Sequence, residues 1–416
     1  MTYDALIIGG RAAGGSLAVL LAERGYRVLV VDRDRFPSDT MSTHFMNPRV
    51  VPLLDQLGVL TSLEAAGFRR ITRSRIYLGD CIFDASMPPM GSGYALAPRR
   101  DVLDSLLVQR ATEHGAEFVE RTRGERLIEE DGRIAGAILR HSDGERREVR
   151  AAVVVGADGK YSSVAKWVQA EEYATMPALR PVYYAHFNGI EPLPEPTVEV
   201  FFGNDRMALL FPMRSGEDCL AVELQPDDFD RFRSDPQGQY DNLINSLYGM
   251  STRMRNAVMD GKLIGVRGID NYFRKPFGPG WVLVGDAGYL KDPSTGTGIG
   301  DALQQSIWLA DALHDCFQGA AWDERMAEFQ QFRDKMMMPG YQSTIGFTQM
   351  RDPAIPEIAM VKAAMSSPLF ARILVNALPG MIQHVYQPDT MTFVTKIAEA
   401  FLADGSRFAQ EPTQVD

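Results

Sequence analysis

Apolar and polar positions at the start of the chain follow first a strand pattern and then a helix pattern. Tyr3–Ile8 is a short apolar run typical of a buried parallel strand, and the small-residue loop Gly9–Gly15 follows it. Apolar residues in Ser16–Arg24 recur at helical spacing, and a second apolar strand, Arg27–Val31, leads directly into Asp32. The pattern predicts a strand, a glycine-rich turn, a helix, a strand and an acidic residue in one unit.

The same two periods predict the elements of the remaining chain. Helical spacing of apolar residues predicts helices at residues 49–60, 99–107, 240–260 and 301–317, and mostly helical structure from 322 to 403. Short alternating or fully apolar runs predict strands at residues 75–78, 81–83, 117–120, 125–128, 134–140, 148–150, 153–155, 197–202, 207–211, 220–224 and 281–284. Strands and helices mixed in this way predict an α/β protein.

Composition is that of a soluble globular protein. The 416 residues allow two or three domains, and 43 basic against 54 acidic residues give a net charge of −11, which argues against general binding of nucleic acid or anionic membranes. Cys81, Cys219 and Cys316 are odd in number and far apart, so neither a disulfide framework nor a zinc site is indicated. No apolar run reaches about 18 residues, and no basic region precedes the first strand. We expect a cytoplasmic protein without stable membrane insertion.

The first unit has the residue types that a dinucleotide needs. Gly9 permits a tight turn and Gly14 permits close packing of helix on strand, while Asp32, 23 residues after Gly9, stands where a carboxylate binds an adenosine ribose. Arg11 replaces the middle glycine of G-x-G-x-x-G. An arginine fits there if its φ is negative and its side chain points out of the turn or reaches the pyrophosphate. The alternative is a glycine-rich turn that binds no ligand.

Three stretches together resemble one family. The N-terminal unit, Asp158-Gly159 after an apolar strand, and Gly285-Asp286 before a glycine-rich loop and a helix are similar to the three fingerprints of the FAD-dependent group A monooxygenases. These aromatic-hydroxylase-like flavoproteins are related to flavin halogenases and geranylgeranyl reductases. Arg100-x-x-Leu103-x-x-x-Leu107 resembles a fourth element, in which an arginine that opens a helix contacts the cofactor.

The resemblance implies which residues bind FAD. Asp32 would bind the adenosine ribose, Arg100 would lie along the ribityl–phosphate chain, and Asp286 would bind the ribityl hydroxyls. N–H groups at the start of the last helix would point at the flavin N1–C2 carbonyl edge, where they stabilise the anionic reduced ring. The complete expected set is Gly9, Arg11, Ala13, Gly14, Asp32, Arg33, Arg100, Gly124, Asp158, Asp286, Gly296, Thr297 and Gly298.

Several of these polar residues also have a purely structural explanation. Asp286 could only cap a helix, and Asp158 could only bond the amides of its own turn. Arg100 could only pair with Asp104, four residues later on the same helix. The two explanations differ in which atoms each side chain contacts.

A domain organisation also follows from the resemblance. It implies a Rossmann-like FAD-binding domain made of residues 1–74, 99–180 and 276–345. An inserted, mostly antiparallel β-sheet substrate domain would comprise residues 75–98 and 181–275, and a helical C-terminal region would comprise residues 346–416.

The activity that the resemblance implies is that of an NAD(P)H-dependent monooxygenase. With O2, it would hydroxylate or epoxidise a bulky, apolar or aromatic small molecule through a flavin C4a-hydroperoxide. A lone loop histidine is more often hydrogen-bonded than catalytic, but His44 is the best candidate for a polar contact near the flavin. Pro293 is the second candidate catalytic residue. One wall of the substrate pocket is expected to gather Tyr183, His186, Phe201 and Phe211.

Two other functions stay open. One is a geranylgeranyl-reductase-like flavin reductase or dehydrogenase that does not use O2. The other is a non-redox cyclase or binder in which FAD is structural. The W-x-W-x-I-P sequence of flavin halogenases is absent. The sequence leaves the substrate, the choice between NADH and NADPH, and the oligomeric state open.

Overall fold

The computed structural model describes residues 2–78, 81–87, 91–203 and 206–348, with isolated positions at 362, 363, 367 and 369. It divides into two compact units. The first comprises Met1–Phe68, Leu96–Ala178 and Ile269–Tyr341, and the second comprises Arg69–Ala95, Leu179–Gly268 and the described residues from Gln342 onward. Most of the predicted C-terminal helical region, residues 346–416, lies outside the described residues. The assignment of cofactor binding to one domain and substrate binding to the other stays a prediction.

The described elements are named in chain order. The strands are β1 (Thr2–Ile8), β2 (Val28–Val31), β3 (Arg73–Leu78), β4 (Cys81–Ser86), β5 (Glu117–Val119), β6 (Thr122–Glu130), β7 (Arg133–His141), β8 (Arg146–Gly156), β9 (Glu172–Met176), β10 (Val182–Asn188), β11 (Thr197–Gly203), β12 (Arg206–Pro212), β13 (Glu217–Glu223), β14 (Val258–Val266), β15 (Asn271–Arg274), β16 (Phe277–Gly278), β17 (Trp281–Leu283) and β18 (Tyr289–Leu290). The helices are α1 (Ala12–Glu23), α2 (Val51–Gln56), α3 (Leu60–Ala65), α4 (Arg100–Glu113), α5 (Ser163–Trp167), α6 (Phe229–Ser234), α7 (Pro236–Ser246), α8 (Met250–Arg253), α9 (Gly298–Phe317) and α10 (Trp322–Thr348).

Among the described residues, an eight-stranded sheet forms the centre of the first unit. Its parallel strands lie in the order β17, β8, β1, β2 and β5, with β16 antiparallel to β17, and the β6–β7 hairpin pairs with the first half of β8. Strand β2 is apolar and buried along its whole length, as expected of a parallel strand covered on both faces. Helix α1 packs against α4 and α9. This arrangement confirms the predicted Rossmann-like α/β fold.

A three-stranded sheet in the same unit joins β18, β15 and β9. The rings of Tyr173, Tyr289 and Tyr341 pack around the fully buried Phe273 of β15. Tyr341 belongs to α10, so this sheet packs against the part of α10 that lies in the first unit, Trp322–Tyr341. Because β18 directly follows the loop after β17, the sheet also lies beside that loop.

The second unit contains a seven-stranded sheet in the order β14, β10, β13, β12, β11, β3 and β4 among the described residues. Its neighbouring strands are antiparallel except for β3 and β11. Phe232 of α6, Tyr240 of α7 and Met250 of α8 pack on the apolar side chains of one face. The prediction of an inserted, mostly antiparallel sheet is confirmed.

Two predicted helices differ from the observed ones. The helix expected at residues 49–60 is two helices, α2 and α3, because Gly58 between them has a φ of +69°, which an α-helix does not continue through. The helical segment expected at 240–260 begins at Phe229 and ends at Arg253, since β14 starts at Val258. None of the helices in the described part of the chain has the length and apolarity needed to cross a membrane.

Candidate functional site

Three loops leave the parallel sheet of the first unit at the same edge. Ile8 of β1 is level with Gly156 of β8, and Gly156 is level with Leu283 of β17, so the chain leaves all three strands side by side. The carboxyl ends of parallel strands are where open α/β sheets bind ligands. These three loops carry the first, second and third predicted fingerprints.

Glycines let the three loops touch one another. Gly9 has a φ of +107°, and a Cβ atom added there would lie 2.3 Å from the carbonyl oxygen of Ala157 in the second loop. Gly285 of the third loop has a φ of +62°, and its Cβ would lie 2.7 Å from the Cβ of Ala13. Any side chain at either glycine would force neighbouring backbones or side chains apart. The predicted fingerprints therefore form one connected site.

The turn into α1 has the compact form that dinucleotide binding needs. A Cβ at Gly14 would lie 1.8 Å from the carbonyl oxygen of Gly9, so helix and strand are as close as backbones allow. Asp32 is buried, and its Oδ2 accepts the Gly10 N–H at 2.8 Å while Oδ1 accepts the Asp34 N–H at 2.9 Å. Each carboxylate oxygen keeps a second lone pair. The ribose contact predicted for Asp32 is thus compatible with these bonds and stays a prediction.

Arg11 occupies the position before α1 with a φ of −82°, the negative value expected for a side chain there. Its guanidinium bonds Asp34 at 3.0 Å, Asp104 at 3.1 Å and the Ser38 hydroxyl at 2.9 Å. The side chain therefore joins α1 to α4 and to the loop after β2. The sequence left two orientations open for the Arg11 side chain, out of the turn or toward the pyrophosphate. Its bonds to Asp34, Asp104 and Ser38 hold it in the first of these.

Arg100 makes the pairing that was its structural alternative. Its Nε and one Nη donate to Oδ1 of Asp104 at 3.1 Å and 3.0 Å, and Asp104 is wholly buried between Arg100 and Arg11. Burial raises the pKa of Asp104, and the two guanidinium groups oppose that rise. The contact of Arg100 with FAD stays a prediction.

Asp158 also has a structural role. Its Oδ1 accepts the Ser162 hydroxyl at 2.5 Å, and its Oδ2 accepts the Ser163 N–H at 2.6 Å. The carboxylate therefore closes the turn that leads into α5, as the alternative explanation has it. Its predicted contact with FAD remains a prediction.

Asp286 differs, because its side chain is exposed while Gly285 and Ala287 on either side are buried. No hydrogen bond or ion pair engages its carboxylate within the described ranges, so the helix-cap alternative is not realised there. Burial by the surrounding protein nonetheless raises its pKa to about 6, with Asp301 adding repulsion and Arg100 and Lys160 opposing the rise. The carboxylate is therefore open to solvent and has charged residues of three other segments around it.

The start of α9 lies open. Gly296 has a φ of +62°, with the Phe45 ring packed 3.4 Å from where a Cβ would be, and Thr297 immediately precedes the helix. A Cβ at Gly298 would meet no atom within 4 Å. The first N–H groups of a helix have no partner inside it and favour negative charge. Pro293 begins the short 3₁₀ turn before this loop, and Asp292 caps that turn by accepting the Ser294 N–H at 3.0 Å.

His44 lies in the long loop beside Phe45. It is fully buried, has a φ of +57°, and its Nδ1 is 3.2 Å from the carbonyl oxygen of Pro98. A buried non-glycine residue in this region is an unusual conformation of the kind found near functional sites. Catalytic roles for His44 and Pro293 stay predictions.

Arg33 and Gly124 are the remaining cofactor predictions. Arg33 has 79% of its side chain exposed. Gly124 lies in β6, where a Cβ would come within 3.0 Å of Ile8 and 3.1 Å of Trp167, so close packing already explains that glycine. The adenine contact of Gly124 and the cofactor contact of Arg33 stay predictions.

The four predicted substrate residues do not form one wall. Tyr183 and Phe201 belong to the apolar cluster under α6, α7 and α8. His186 and Phe211 are both in register with Cys219 of β13, on the opposite face of the sheet. The expectation of a shared wall is wrong, because successive residues of a strand point to alternate faces.

Charged neighbours of Asp286 were not predicted. Lys160 follows Asp158-Gly159 directly, and its charge reaches Asp286. Asp301 lies in the first turn of α9, where Nζ of the buried Lys291 is 2.7 Å from its Oδ2. The sequence could have indicated Lys160, because it directly follows the second fingerprint. Nothing in the sequence indicates that Lys291 pairs with Asp301.

These features fit a bound dinucleotide. The cradle at Gly9 and Gly14 leaves no room for a Cβ, Asp32 ends the second strand, Asp286 offers an accessible carboxylate, and the start of α9 is open at Gly298. All of them lie in one unit and at one edge of its sheet. They are the donor and acceptor types that a pyrophosphate and the hydroxyls of a sugar chain require.

Comparison with known proteins agrees with this fit. The chain is 25% identical over 346 residues to the 1H-pyrrole-2-carbonyl-(peptidyl-carrier protein) brominase of Pseudoalteromonas luteoviolacea, covering 80% of this chain and 82% of the brominase. It is 25% identical over 323 residues to a digeranylgeranylglycerophospholipid reductase of Methanosarcina acetivorans, covering 75% of each chain.

A solved structure shows the same fold. PqsL of Pseudomonas aeruginosa, described as "a probable FAD-dependent monooxygenase", has a TM-score of 0.67 and 22% identity, covering 84% of this chain and 96% of PqsL.

The family model described as "FAD binding domain" matches residues 2–340. The resemblance drawn from the fingerprints is confirmed, and the chain belongs to this FAD-binding family.

Proposed function

We propose that this protein is an FAD-dependent monooxygenase that hydroxylates or epoxidises a bulky, apolar or aromatic small molecule, with NAD(P)H as a transient reductant. The observation that carries the proposal is the meeting of the three fingerprint loops at one sheet edge. The third of these loops carries the accessible Asp286, and the open start of α9 follows it in the chain. When bound, FAD supplies two-electron redox chemistry and the activation of O2.

Each part of the site would hold a different part of the cofactor. The N–H groups at the start of α1 would bind the pyrophosphate, and Asp32 would bind the adenosine ribose. Asp286 would accept hydrogen bonds from the ribityl hydroxyls. Thr297 and Gly298 would present N–H donors to the carbonyl edge of the ring, where they favour the negative charge of the reduced state.

The second unit would bind the substrate. On the sheet face opposite α6, α7 and α8, His186 and Phe211 lie with Met207 and Leu209, and all four are buried. Apolar side chains with one polar group suit a bulky apolar or aromatic ligand, and methionine adapts to irregular shapes. A dry surface of this kind also protects reactive intermediates from water.

A flavin reductase is the second candidate function. It is favoured by the similarity to the digeranylgeranylglycerophospholipid reductase, which extends over three quarters of both chains. The similarity to a brominase adds halogenation as a third chemistry within the same fold, although the W-x-W-x-I-P sequence is absent. Fold and cofactor are common to all three, so the reaction itself must be measured.

Labelled oxygen tests the proposal. The FAD-loaded protein, NAD(P)H and a panel of phenolic and indolic compounds are incubated under ¹⁸O₂, with ¹⁶O₂ in H₂¹⁸O as the matched control. We expect one ¹⁸O atom in the product from ¹⁸O₂ and none from labelled water. Equal product formation without O2 would assign the protein to the reductases, and a product that requires halide would assign it to the halogenases. Bound FAD without any NAD(P)H oxidation would favour the non-redox alternative.

A further inference from the structure

Three consecutive carbonyl groups of the third loop each accept a hydrogen bond from a different side chain. The Tyr272 hydroxyl donates to the carbonyl of Asp286 at 2.7 Å. Arg274 donates from one Nη to the carbonyl of Ala287 at 2.9 Å, and Arg333 donates from one Nη to the carbonyl of Gly288 at 3.2 Å. The loop is therefore held through its main chain.

This loop has few backbone bonds of its own. It is a single 3₁₀ turn, Gly285–Ala287, closed by a bond of 2.9 Å from the Gly288 N–H to the Gly285 carbonyl. Carbonyls in a short buried turn need donors from elsewhere, since leaving them unpaired is costly. Here the donors come from β15 and α10, and none belongs to a predicted fingerprint.

The three donors are themselves fixed. Arg274 also bonds Glu172 through Nε at 3.0 Å and through its other Nη at 2.8 Å. Arg333 is completely buried, and its other Nη donates to the Tyr173 hydroxyl at 2.7 Å. The Tyr272 ring lies 4.0 Å below the Arg274 guanidinium. Side chains locked in this way can hold a main chain in one place.

The Tyr272 hydroxyl also reaches the second loop. It lies 3.1 Å from the carbonyl oxygen of Lys160, so one oxygen contacts both the Lys160 loop and the Asp286 loop. Lys160 is one of the charges that act on Asp286. Tyr272 therefore fixes the distance between the second and third fingerprints as well as the position of the third.

We propose that Tyr272, Arg274 and Arg333 are positioning residues of the cofactor site. They hold the main chain at Asp286, Ala287 and Gly288, and this leaves the Asp286 carboxylate exposed and able to accept hydrogen bonds from the ribityl hydroxyls. The inference rests on the FAD-binding part of the proposed function and not on the oxygen chemistry. In this proposal the three residues contact the third loop and do not contact FAD itself.

A pair of tyrosines in the first unit allows a matched test. Tyr272→Phe removes the hydroxyl that bonds the Asp286 carbonyl. Tyr341→Phe removes a hydroxyl that bonds the carbonyl of Ala174, and the Tyr341 ring packs on Phe273, the neighbour of Tyr272 in β15, yet Tyr341 makes no bond to the third loop. Both changes delete one hydroxyl that bonds main-chain carbonyls. They differ in the acceptors, which are the Asp286 and Lys160 carbonyls for Tyr272 and the Ala174 carbonyl for Tyr341.

The measurement is the FAD dissociation constant of the full-length protein, by flavin fluorescence titration, together with the thermal unfolding of the FAD-free protein. We expect Tyr272→Phe to weaken FAD binding about three- to tenfold, the equivalent of one hydrogen bond, and Tyr341→Phe to change it less than about twofold. Both variants should lower the melting temperature of the FAD-free protein by similar amounts. Adding Tyr272→Phe to Asp286→Ala should cause no further loss, because Tyr272 acts through Asp286.

Two results would overturn the proposal. One is equal FAD affinity in the wild type and Tyr272→Phe. The other is a loss on Tyr272→Phe that is the same with and without Asp286→Ala, since a general weakening of the fold would be independent of Asp286. Neither result would alter the outcome with labelled oxygen, so failure of the positioning role and failure of the monooxygenase function are distinguishable.

Discussion

The loops that carry Asp158 and Asp286 follow neighbouring strands at one sheet edge and have similar sequences, yet they use the carboxylate in opposite ways. In the second loop the Asp158 side chain bonds Ser162 and the Ser163 N–H, so the carboxylate holds the main chain. In the third loop Tyr272, Arg274 and Arg333 hold the main chain, and the Asp286 carboxylate is left exposed. Two aspartates in similar motifs therefore have different roles, and the hydrogen-bond partners of each side chain determine which role it has.

The largest expected difference between these loops is in their glycines. Gly285→Ala should lower the free energy of unfolding by about 2–5 kcal/mol, because a positive φ is strained for alanine and the new Cβ would lie 2.7 Å from that of Ala13. Gly159, with a φ of +76° and nothing within 4 Å of its added Cβ, is the control, and its alanine variant should lose only about 1–2 kcal/mol. Denaturant unfolding measures both. Equal losses would show that the third loop moves away from α1 without cost.

The next largest effect is on cofactor affinity. Asp286→Ala should weaken FAD binding about tenfold to a hundredfold, since each hydrogen bond to a charged group contributes about 1.5–3 kcal/mol. Asp158→Ala is the comparison, because it removes the same side chain from the neighbouring loop. Fluorescence titration gives both dissociation constants. The contrast between the loops fails if the two variants lose FAD equally.

Acid should weaken cofactor binding through the same carboxylate. Because burial raises the pKa of Asp286 to about 6, the ionised form that accepts hydroxyl bonds disappears as the pH falls through that value. FAD affinity should drop about tenfold between about pH 7 and pH 5, and Asp286→Asn should abolish this dependence. For the FAD-free fold the sign is opposite: a pKa raised above its unfolded value makes protonation favour the folded state, so this group adds stability as the pH falls. A variant with the same pH profile as the wild type would contradict the assignment.

The smallest effect belongs to Asp158. Its alanine variant should lose about 1 kcal/mol of folding free energy, the usual contribution of a side chain that caps a turn or a helix start. FAD affinity should stay within about twofold of the wild type. Thermal unfolding and FAD titration on the same samples check both values. A large loss of FAD affinity with unchanged stability would transfer the ligand role to the second loop.

Local features of the site could be predicted from the sequence. Gly9, Gly14 and Asp32 form one strand–helix–strand unit, so their spacing alone fixes where they lie, and Asp286 follows a strand whose apolar run is evident. The negative φ of Arg11 was also predictable, since a side chain there excludes the glycine conformation. Its bonds to Asp34 and Asp104 were not, because they depend on how α1 and α4 pack.

The three residues that hold the third loop, Tyr272, Arg274 and Arg333, could not be predicted from the sequence. Arg333 comes from a different element, far along the chain, and neither it nor Tyr272 belongs to a motif. The error in the substrate residues was avoidable in part. Tyr183 and His186 are three residues apart on one strand, and an odd separation places side chains on opposite faces. Phe201 and Phe211 needed the pairing of β11 and β12, which only the structure supplies.

Ala13 and Gly285 are far apart in the sequence but in contact in the structure, so a change at one position limits what the other can be. The residue at 13 has to stay small for as long as the third loop lies against it, and any side chain at 285 meets both this contact and the strain of a φ of +62°. Substitutions at the two positions should therefore be inherited together among chains of this fold. A directed-evolution library that varies either loop should randomise both positions at once, since a larger side chain at position 13 or 285 alone strains the contact between the loops.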